Sequence, residues 1–151
     1  MTLVTFDHCG FTVADLDRSI AFYSELLGTE PTVRKRSSDS YMGAMVGYPG
    51  CDMEYAYFPL PGSNATLELI QYFEPASARV DQETSVLGNG HICLLVEDVH
   101  AEFERISRIA TFRSAAPVEI DAGPNAGGWG AYLRDPDGIT IQLLQKPARS
   151  R

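Results

Sequence analysis

The chain contains an internal repeat, and this repeat limits the possible folds more than any other feature of the sequence. His8 to Leu16 reads HCGFTVADL, and 83 residues later His91 to Val99 reads HICLLVEDV, so both copies follow the pattern H-x4-V-x-D-[LV]. Two further matches come in the same order: Ala56-Tyr57-Phe58 with Ala131-Tyr132-Leu133, and Leu67-Glu68-Leu69-Ile70-Gln71 with Ile141-Gln142-Leu143-Leu144-Gln145. Ordered matches of this kind indicate a duplication whose period is too long for a solenoid, and they predict two copies of a module of roughly 65 residues.

The same order of strands and one helix is predicted for each copy. Asp15 and Asp98 are the expected N-caps of two helices, each of which follows a first strand. The other predicted segments are strands at 3–13, 42–46, 53–58 and 65–72 in the first copy, and at 89–96, 117–120, 129–134 and 139–145 in the second. We place module 1 at about residues 3–73, a polar linker at about 74–87 and module 2 at about 88–146, within a single domain spanning 1–151.

This pattern predicts an α+β fold made of two tandem βαβββ modules. One helix for every four strands covers only one face of each sheet. We therefore expect a pseudo-twofold relation between the modules, with the bare faces forming a shared, open, barrel-like cavity. Such sheets also leave edge strands that need a partner or a cover, which favours a homodimer.

Composition narrows the functional classes. The chain is 44% hydrophobic and 21% charged, with a formal net charge of −8, so nucleic-acid binding is not expected to be its function. Neither a signal peptide nor a membrane span is predicted, and we expect a cytoplasmic protein. In a reducing compartment its three cysteines, which have no C-x-x-C spacing, are expected to be free thiols.

Four polar side chains are predicted to face the bare side of the sheets. The two-residue period of the strands places Leu67 and Leu69 beneath the helix and turns Glu68 the other way. The same alternation gives an inward-facing set made of His8, Glu68, His91 and Gln142. Imidazole nitrogens with carboxylate and amide oxygens form a ligand set for a first-row divalent metal ion that leaves positions open for substrate.

Simpler interpretations exist for each of these residues. A single histidine at the start of a strand is usually structural, and a single Glu or Gln in a strand is usually a solvent-facing residue. Two of the three histidines nevertheless fall at equivalent positions of the repeat, as do Glu68 and Gln142. This coincidence favours a site. The third histidine, His100, is expected on the surface. Cys93, two residues after His91, is expected to be a small buried residue, with a place in the cavity lining as the alternative.

Two other features have a structural and a functional interpretation. The glycine-rich segment at 123–130 is either a hairpin connection or a lid in which Trp129 closes the cavity. The tyrosines are interpreted mainly as strand packing; they are Tyr41, Tyr55, Tyr57, Tyr72 and Tyr132.

The motifs also resemble a known family. The stretches HCGFTVADLDRSIAFYSELLG, GNGHICLLVEDV and YLRDPDGITIQLL together are similar to the vicinal oxygen chelate superfamily, also called the glyoxalase/bleomycin resistance protein/dioxygenase family. The resemblance covers nearly the whole chain and implies that His8, Glu68, His91 and Gln142 are the metal ligands. It also implies a homodimer.

The resemblance implies a metal-dependent lyase or isomerase of the glyoxalase I or methylmalonyl-CoA epimerase type. Such an enzyme would bind one divalent ion (Ni, Co, Zn, Mn or Fe) and a small substrate with vicinal oxygens, with Glu68 as the catalytic base. Extradiol dioxygenases in the family carry a glutamate on the last strand, where this chain has Gln142. An extradiol-type dioxygenase is therefore the second interpretation. A metal-free drug-binding protein of the bleomycin-resistance type, which has no need of the histidines, is the third.

Overall fold

A computed structural model describes residues 3–148, which form two compact units that divide between Arg79 and Val80. The division falls inside the predicted linker. Each unit contains a mixed sheet with one long helix after its first strand, so the α+β class and the pair of βαβββ modules are confirmed.

The first unit contains four strands and two helices, which in chain order are β1 (His8–Thr12), α1 (Leu16–Leu27), β2 (Val33–Ser37), α2 (Ser40–Val46), β3 (Asp52–Pro59) and β4 (Thr66–Glu74). The order across the sheet is β1-β4-β3-β2. Strand β1 runs parallel to β4, and the other neighbours are antiparallel.

The second unit contains five strands and one helix, which are β5 (His91–Leu95), α3 (Val99–Ile106), β6 (Thr111–Phe112), β7 (Val118–Glu119), β8 (Trp129–Arg134) and β9 (Thr140–Gln145). The order is β5-β9-β8-β6, and β7 also pairs with β8. Strand β5 runs parallel to β9, as β1 does to β4.

The repeated residues hold each helix on its own sheet in the same way. The Asp15 carboxylate accepts from the backbone N–H of Arg18 (2.9 Å), and the Asp98 carboxylate accepts from that of Ala101 (3.1 Å). A glutamine at the end of each sequence match also accepts from a first-turn N–H: Gln71 from Leu16 (2.8 Å) and Gln145 from Val99 (2.9 Å). These bonds satisfy N–H groups that have no partner within the helix.

The core of each unit lies between the sheet and its helix. In the first unit Tyr23 of α1 packs on Phe58, above the fully buried Leu67 and Leu69. In the second unit the large side chains that are almost fully buried in β8, β9 and α3 include Leu133, Ile141, Leu143, Val99 and Ile106. The alternation along β4 and β9 is therefore as predicted, because the aliphatic set lies beneath the helix and Glu68 and Gln142 lie on the opposite face.

Two predicted elements need correction, and two strands were not predicted. Residues 42–46 belong to a helix, α2, which ends at Gly47 in the left-handed conformation (φ 79°). Strand β1 begins at His8 rather than at residue 3, since its partner strand begins at Thr66, which pairs with His8. The strands that were not predicted are β2 and the two-residue β6. Within residues 3–148 no helix has the length and apolarity needed to cross a bilayer.

Candidate metal centre

In the first unit, β1 and β4 bring His8 and Glu68 together. The parallel register pairs His8 with Thr66 and Gly10 with Glu68. The imidazole Nε2 of His8 lies 3.6 Å from Oε2 of Glu68. The Glu68 side chain is only 12% exposed, while that of His8 is 43% exposed. The pair therefore presents one nitrogen and one carboxylate oxygen to the bare face of the sheet.

Asp7 orients the His8 ring. Nδ1 of His8 donates to the Asp7 carboxylate at 2.7 Å, which leaves Nε2 directed at Glu68. Histidines that bind metals commonly donate their other ring N–H to a carboxylate, which fixes the tautomer and strengthens the ligating nitrogen. The Asp7–His8–Glu68 arrangement has this form.

Tyr57 of β3 completes this half of the site. It is the register partner of Glu68 across the sheet. Burial, and then the interaction of its hydroxyl with the Glu68 carboxylate, raise the pKa of Tyr57 far above its ordinary value. Tyr57 therefore stays protonated at neutral pH. The ring also lies edge-on to His8, with 6.4 Å between centroids.

The second unit repeats this arrangement with different residues. Gln142 of β9 pairs with Tyr132 of β8, as Glu68 pairs with Tyr57. The ring of His91 lies edge-on to Tyr132, with 5.4 Å between centroids. On the other side of Gln142 the register partner is Cys93, at the place equivalent to Gly10. Contrary to expectation, Cys93 is exposed rather than buried.

The donor set of the first unit fits a divalent ion. Metal–nitrogen and metal–oxygen bonds of about 2.0–2.2 Å allow one ion to bind both His8 and Glu68 at their present separation. Within residues 3–148 no three His, Cys, Asp or Glu side chains form a group that could hold a metal. The structure thus shows one close pair of proposed ligands, His8 with Glu68, whereas His91 and Gln142 are each neighbours of Tyr132.

Sequence reasoning missed the two tyrosines of the site. Tyr57 and Tyr132 are equivalent residues in the repeated Ala-Tyr-[Phe/Leu] match, so the repeat carried a usable signal. Asp7, next to His8 in the chain, was also missed.

The position of Trp129 excludes the lid interpretation. Trp129 begins β8 and lies edge-on to His100 of α3, with 4.7 Å between ring centroids. It therefore lies on the helix-covered face of the sheet, away from Tyr132. The segment at 123–130 connects β7 to β8 as a hairpin, as its structural interpretation predicts. His100 is exposed, as expected.

Comparison with known proteins identifies the family. The profile of the Glyoxalase/Bleomycin resistance protein/Dioxygenase superfamily matches residues 5–143. The chain belongs to this superfamily. The identification made from the sequence motifs is thereby confirmed.

Several named proteins are similar to this chain along most of its length. A 2-epi-5-epi-valiolone epimerase from Actinomyces sp is 28% identical over 96% of this chain and 81% of its own. The lactoylglutathione lyase of Haemophilus influenzae is 30% identical over 91% of this chain and 90% of its own. Lactoylglutathione lyase GLX1 of Arabidopsis thaliana is also 30% identical, but the chain spans only 44% of its length.

Solved structures show the same fold. A glyoxalase family protein from Bacillus cereus superimposes with a TM-score of 0.83 at 22% identity, covering 98% of this chain and 97% of that one. At this identity the likeness shows the superfamily fold alone.

Proposed function

We propose that this superfamily member is a metal-dependent lyase or isomerase that removes a proton next to a carbonyl group in a small substrate with vicinal oxygens. The observation that carries the proposal is the His8–Glu68 pair, 3.6 Å apart, with His8 oriented by Asp7. The names of the relatives support it, since one is an epimerase and another a lactoylglutathione lyase.

The proposed ligands of one divalent ion are His8, Glu68, His91 and Gln142. Two nitrogens and two oxygens admit Ni, Co, Zn, Mn or Fe. The ion would supply Lewis acidity at the substrate's vicinal oxygens. Glu68 is the one anionic group of the four, so the set leaves the charge of a divalent ion half neutralised. A net positive site favours the negative charge that develops when the substrate loses its proton.

Glu68 is the proposed general base. An amide such as Gln142 cannot accept a proton under these conditions, and in our proposal the histidines use their imidazole nitrogens as ligands. The Glu68 carboxylate is largely shielded from water and lies beside its register partner Tyr57. We infer that Glu68 takes the substrate proton.

The substitution Glu68→Gln tests the base. The variant is expected to fold normally and to exchange the substrate proton with solvent deuterium roughly 10²–10⁴-fold more slowly, because that is the usual contribution of a general base. The probe is the hemithioacetal of methylglyoxal and glutathione, chosen because relatives are named lactoylglutathione lyase, and exchange is followed by proton NMR in deuterium oxide.

The reciprocal substitution Gln142→Glu is the matched control, because it places a carboxylate at the equivalent repeat position and leaves Glu68 intact. It is expected to keep part of the exchange activity, because the base is present although the second carboxylate neutralises the charge of the site. If Glu68→Gln binds metal normally and exchanges at the parental rate, Glu68 is not the base.

Removing both histidines tests the metal site. The parent is expected to copurify with one divalent ion, and the double variant His8→Ala/His91→Ala is expected to bind none, because both nitrogen ligands are gone. Metal content is measured by mass spectrometry of the purified proteins, with His100→Ala as the control that removes a histidine outside the site. Stoichiometric metal in the double variant would place the site elsewhere.

We also propose that the chain forms a homodimer. Strands β1 and β5 each have one neighbour in their sheets, and Leu95 of β5 is 62% exposed. Edge strands with apolar side chains favour association with another chain. Sedimentation equilibrium at micromolar concentration is expected to give twice the chain mass, and a monomeric mass contradicts the proposal.

A further inference from the structure

The second unit contains a cavity of about 360 Å³ on the same face as Gln142. Its lining includes Gln142 and Tyr132 at one side and the apolar side chains of Val118 and Ile120 at another. Among the described residues that line it, Arg113 alone carries a charge. A mostly apolar cavity with one cation next to a proposed metal ligand is the arrangement expected of a substrate pocket.

The backbone fixes Arg113 beside the site. Strand β6 pairs Phe112 with Leu133, and the next residue, Arg113, donates its backbone N–H to the carbonyl of Tyr132 at 2.8 Å. Arg113 is thus the neighbour of Tyr132 across the sheet edge, and Tyr132 in turn pairs with Gln142. The short strand β6, which sequence reasoning missed, is what brings the arginine to this position.

The charges around Arg113 leave an excess of positive charge. Its guanidinium contacts the Glu83 carboxylate at 2.7 Å and donates to the Thr140 hydroxyl at 3.4 Å. Arg134 pairs with the same carboxylate, so two cations share one anion. These two arginines lower the pKa of Glu83, which keeps it ionised. A guanidinium has five N–H donors, more than these contacts use, so Arg113 retains donors for a ligand.

We propose that this cavity binds an anionic group of the substrate, a carboxylate or a phosphate, through Arg113. This inference rests on the proposed function. In it the vicinal oxygens of the substrate lie at the Gln142 side of the cavity, and the anionic group lies at Arg113. The carbon chain between them contacts Val118 and Ile120. The substrate class is therefore a small hydroxycarbonyl compound with an anionic end. Arginine suits a carboxylate or a phosphate, because its planar guanidinium can donate to two oxygens at once.

Matched neutral and anionic probes test this assignment on the full chain. Dihydroxyacetone is compared with dihydroxyacetone phosphate, and 1-hydroxy-2-pentanone with 5-hydroxy-4-oxopentanoate, so that the phosphate and carboxylate sources are separated. We expect at least one anionic probe to bind roughly 10- to 100-fold more tightly than its neutral match, the worth of a hydrogen bond between charged groups. Dissociation constants are measured by calorimetry with and without added divalent ion.

Three variants locate the preference. Arg113→Met keeps the aliphatic stem and is expected to abolish the preference for the anionic probe while leaving the affinity for the neutral probe unchanged. Arg134→Met is the matched control, because it removes the other partner of Glu83 without removing a residue of the cavity lining. Glu83→Gln is expected to strengthen anionic binding, since it removes the competing carboxylate. Arg113→Lys keeps the charge should the methionine variant fold poorly, and is expected to retain part of the preference.

The outcomes separate this inference from the proposed function. The inference is overturned if the parent binds neutral and anionic probes equally or binds neither. It is also overturned if Arg113→Met loses affinity for both probes equally. In each case the arginine is a structural partner of Glu83. A preference that depends on Arg113 in protein that binds no metal upholds the inference and overturns the metal proposal instead.

Discussion

Gly10 controls the position of the Glu68 carboxylate. It pairs with Glu68 between β1 and β4, and a Cβ atom built on it would lie 3.3 Å from Oε2 of Glu68 and 3.8 Å from Cδ1 of Ile70. The first distance is tighter than an ordinary contact, so in Gly10→Ala the carboxylate must retreat by a few tenths of an ångström. Because Glu68 is a proposed ligand, this movement is expected to weaken the metal site.

The same substitution is expected to leave the fold intact. The backbone of Gly10 is that of an ordinary strand, and replacing such a glycine by alanine raises the free energy of unfolding by about 0.4–1 kcal/mol, because the unfolded chain loses conformational freedom. Displacing a residue that supports a ligand typically lowers metal affinity by 10–100-fold, and for so small a movement we expect roughly 10-fold. Stability and metal affinity should therefore change in opposite directions.

The measurement pairs chemical denaturation with titration of the metal-free protein by a divalent ion. Gly90→Ala is the control, since a Cβ there meets no atom within 4 Å, and it is expected to gain stability without losing affinity. If Gly10→Ala binds the ion as tightly as the parent and the Gly90 control, the close approach to Glu68 does not limit ligation and the reasoning fails.

Three further predictions test the surroundings of the site and the helix cap. Asp7→Asn should lower metal affinity roughly 10–100-fold by titration, because His8 loses a carboxylate acceptor for its second nitrogen; an unchanged affinity would contradict this role. Tyr57 has a raised pKa, so the folded state resists its ionisation, and the free energy of unfolding should fall as pH rises above about 10. Between pH 9 and pH 11, denaturation curves should show a smaller loss of stability in Tyr57→Phe than in the parent. An equal loss would refute this prediction. Gln71→Leu should lower the free energy of unfolding by about 1 kcal/mol, because the Leu16 N–H loses its acceptor; urea denaturation measures this, and no change would mean that water replaces the glutamine.

The amino-acid sequence by itself determined the repeat and the pattern within it. Strand alternation is a local property, so the faces of Glu68 and Gln142 could be predicted from Leu67, Leu69, Ile141 and Leu143. The caps at Asp15 and Asp98 were predictable for the same reason, since a cap and the N–H groups that it bonds lie within one helical turn.

Tertiary structure decided whatever depends on pairing between distant segments. The register of β3 on β4 brings Tyr57 to Glu68, and the short strand β6 brings Arg113 to Tyr132; neither follows from local periodicity. Residues 42–46 were predicted as a strand but form helix α2, which ends at the left-handed Gly47. The pattern of side chains did not reveal that backbone conformation. Local patterns thus fix which face a residue occupies, whereas the register between strands fixes which residues meet there.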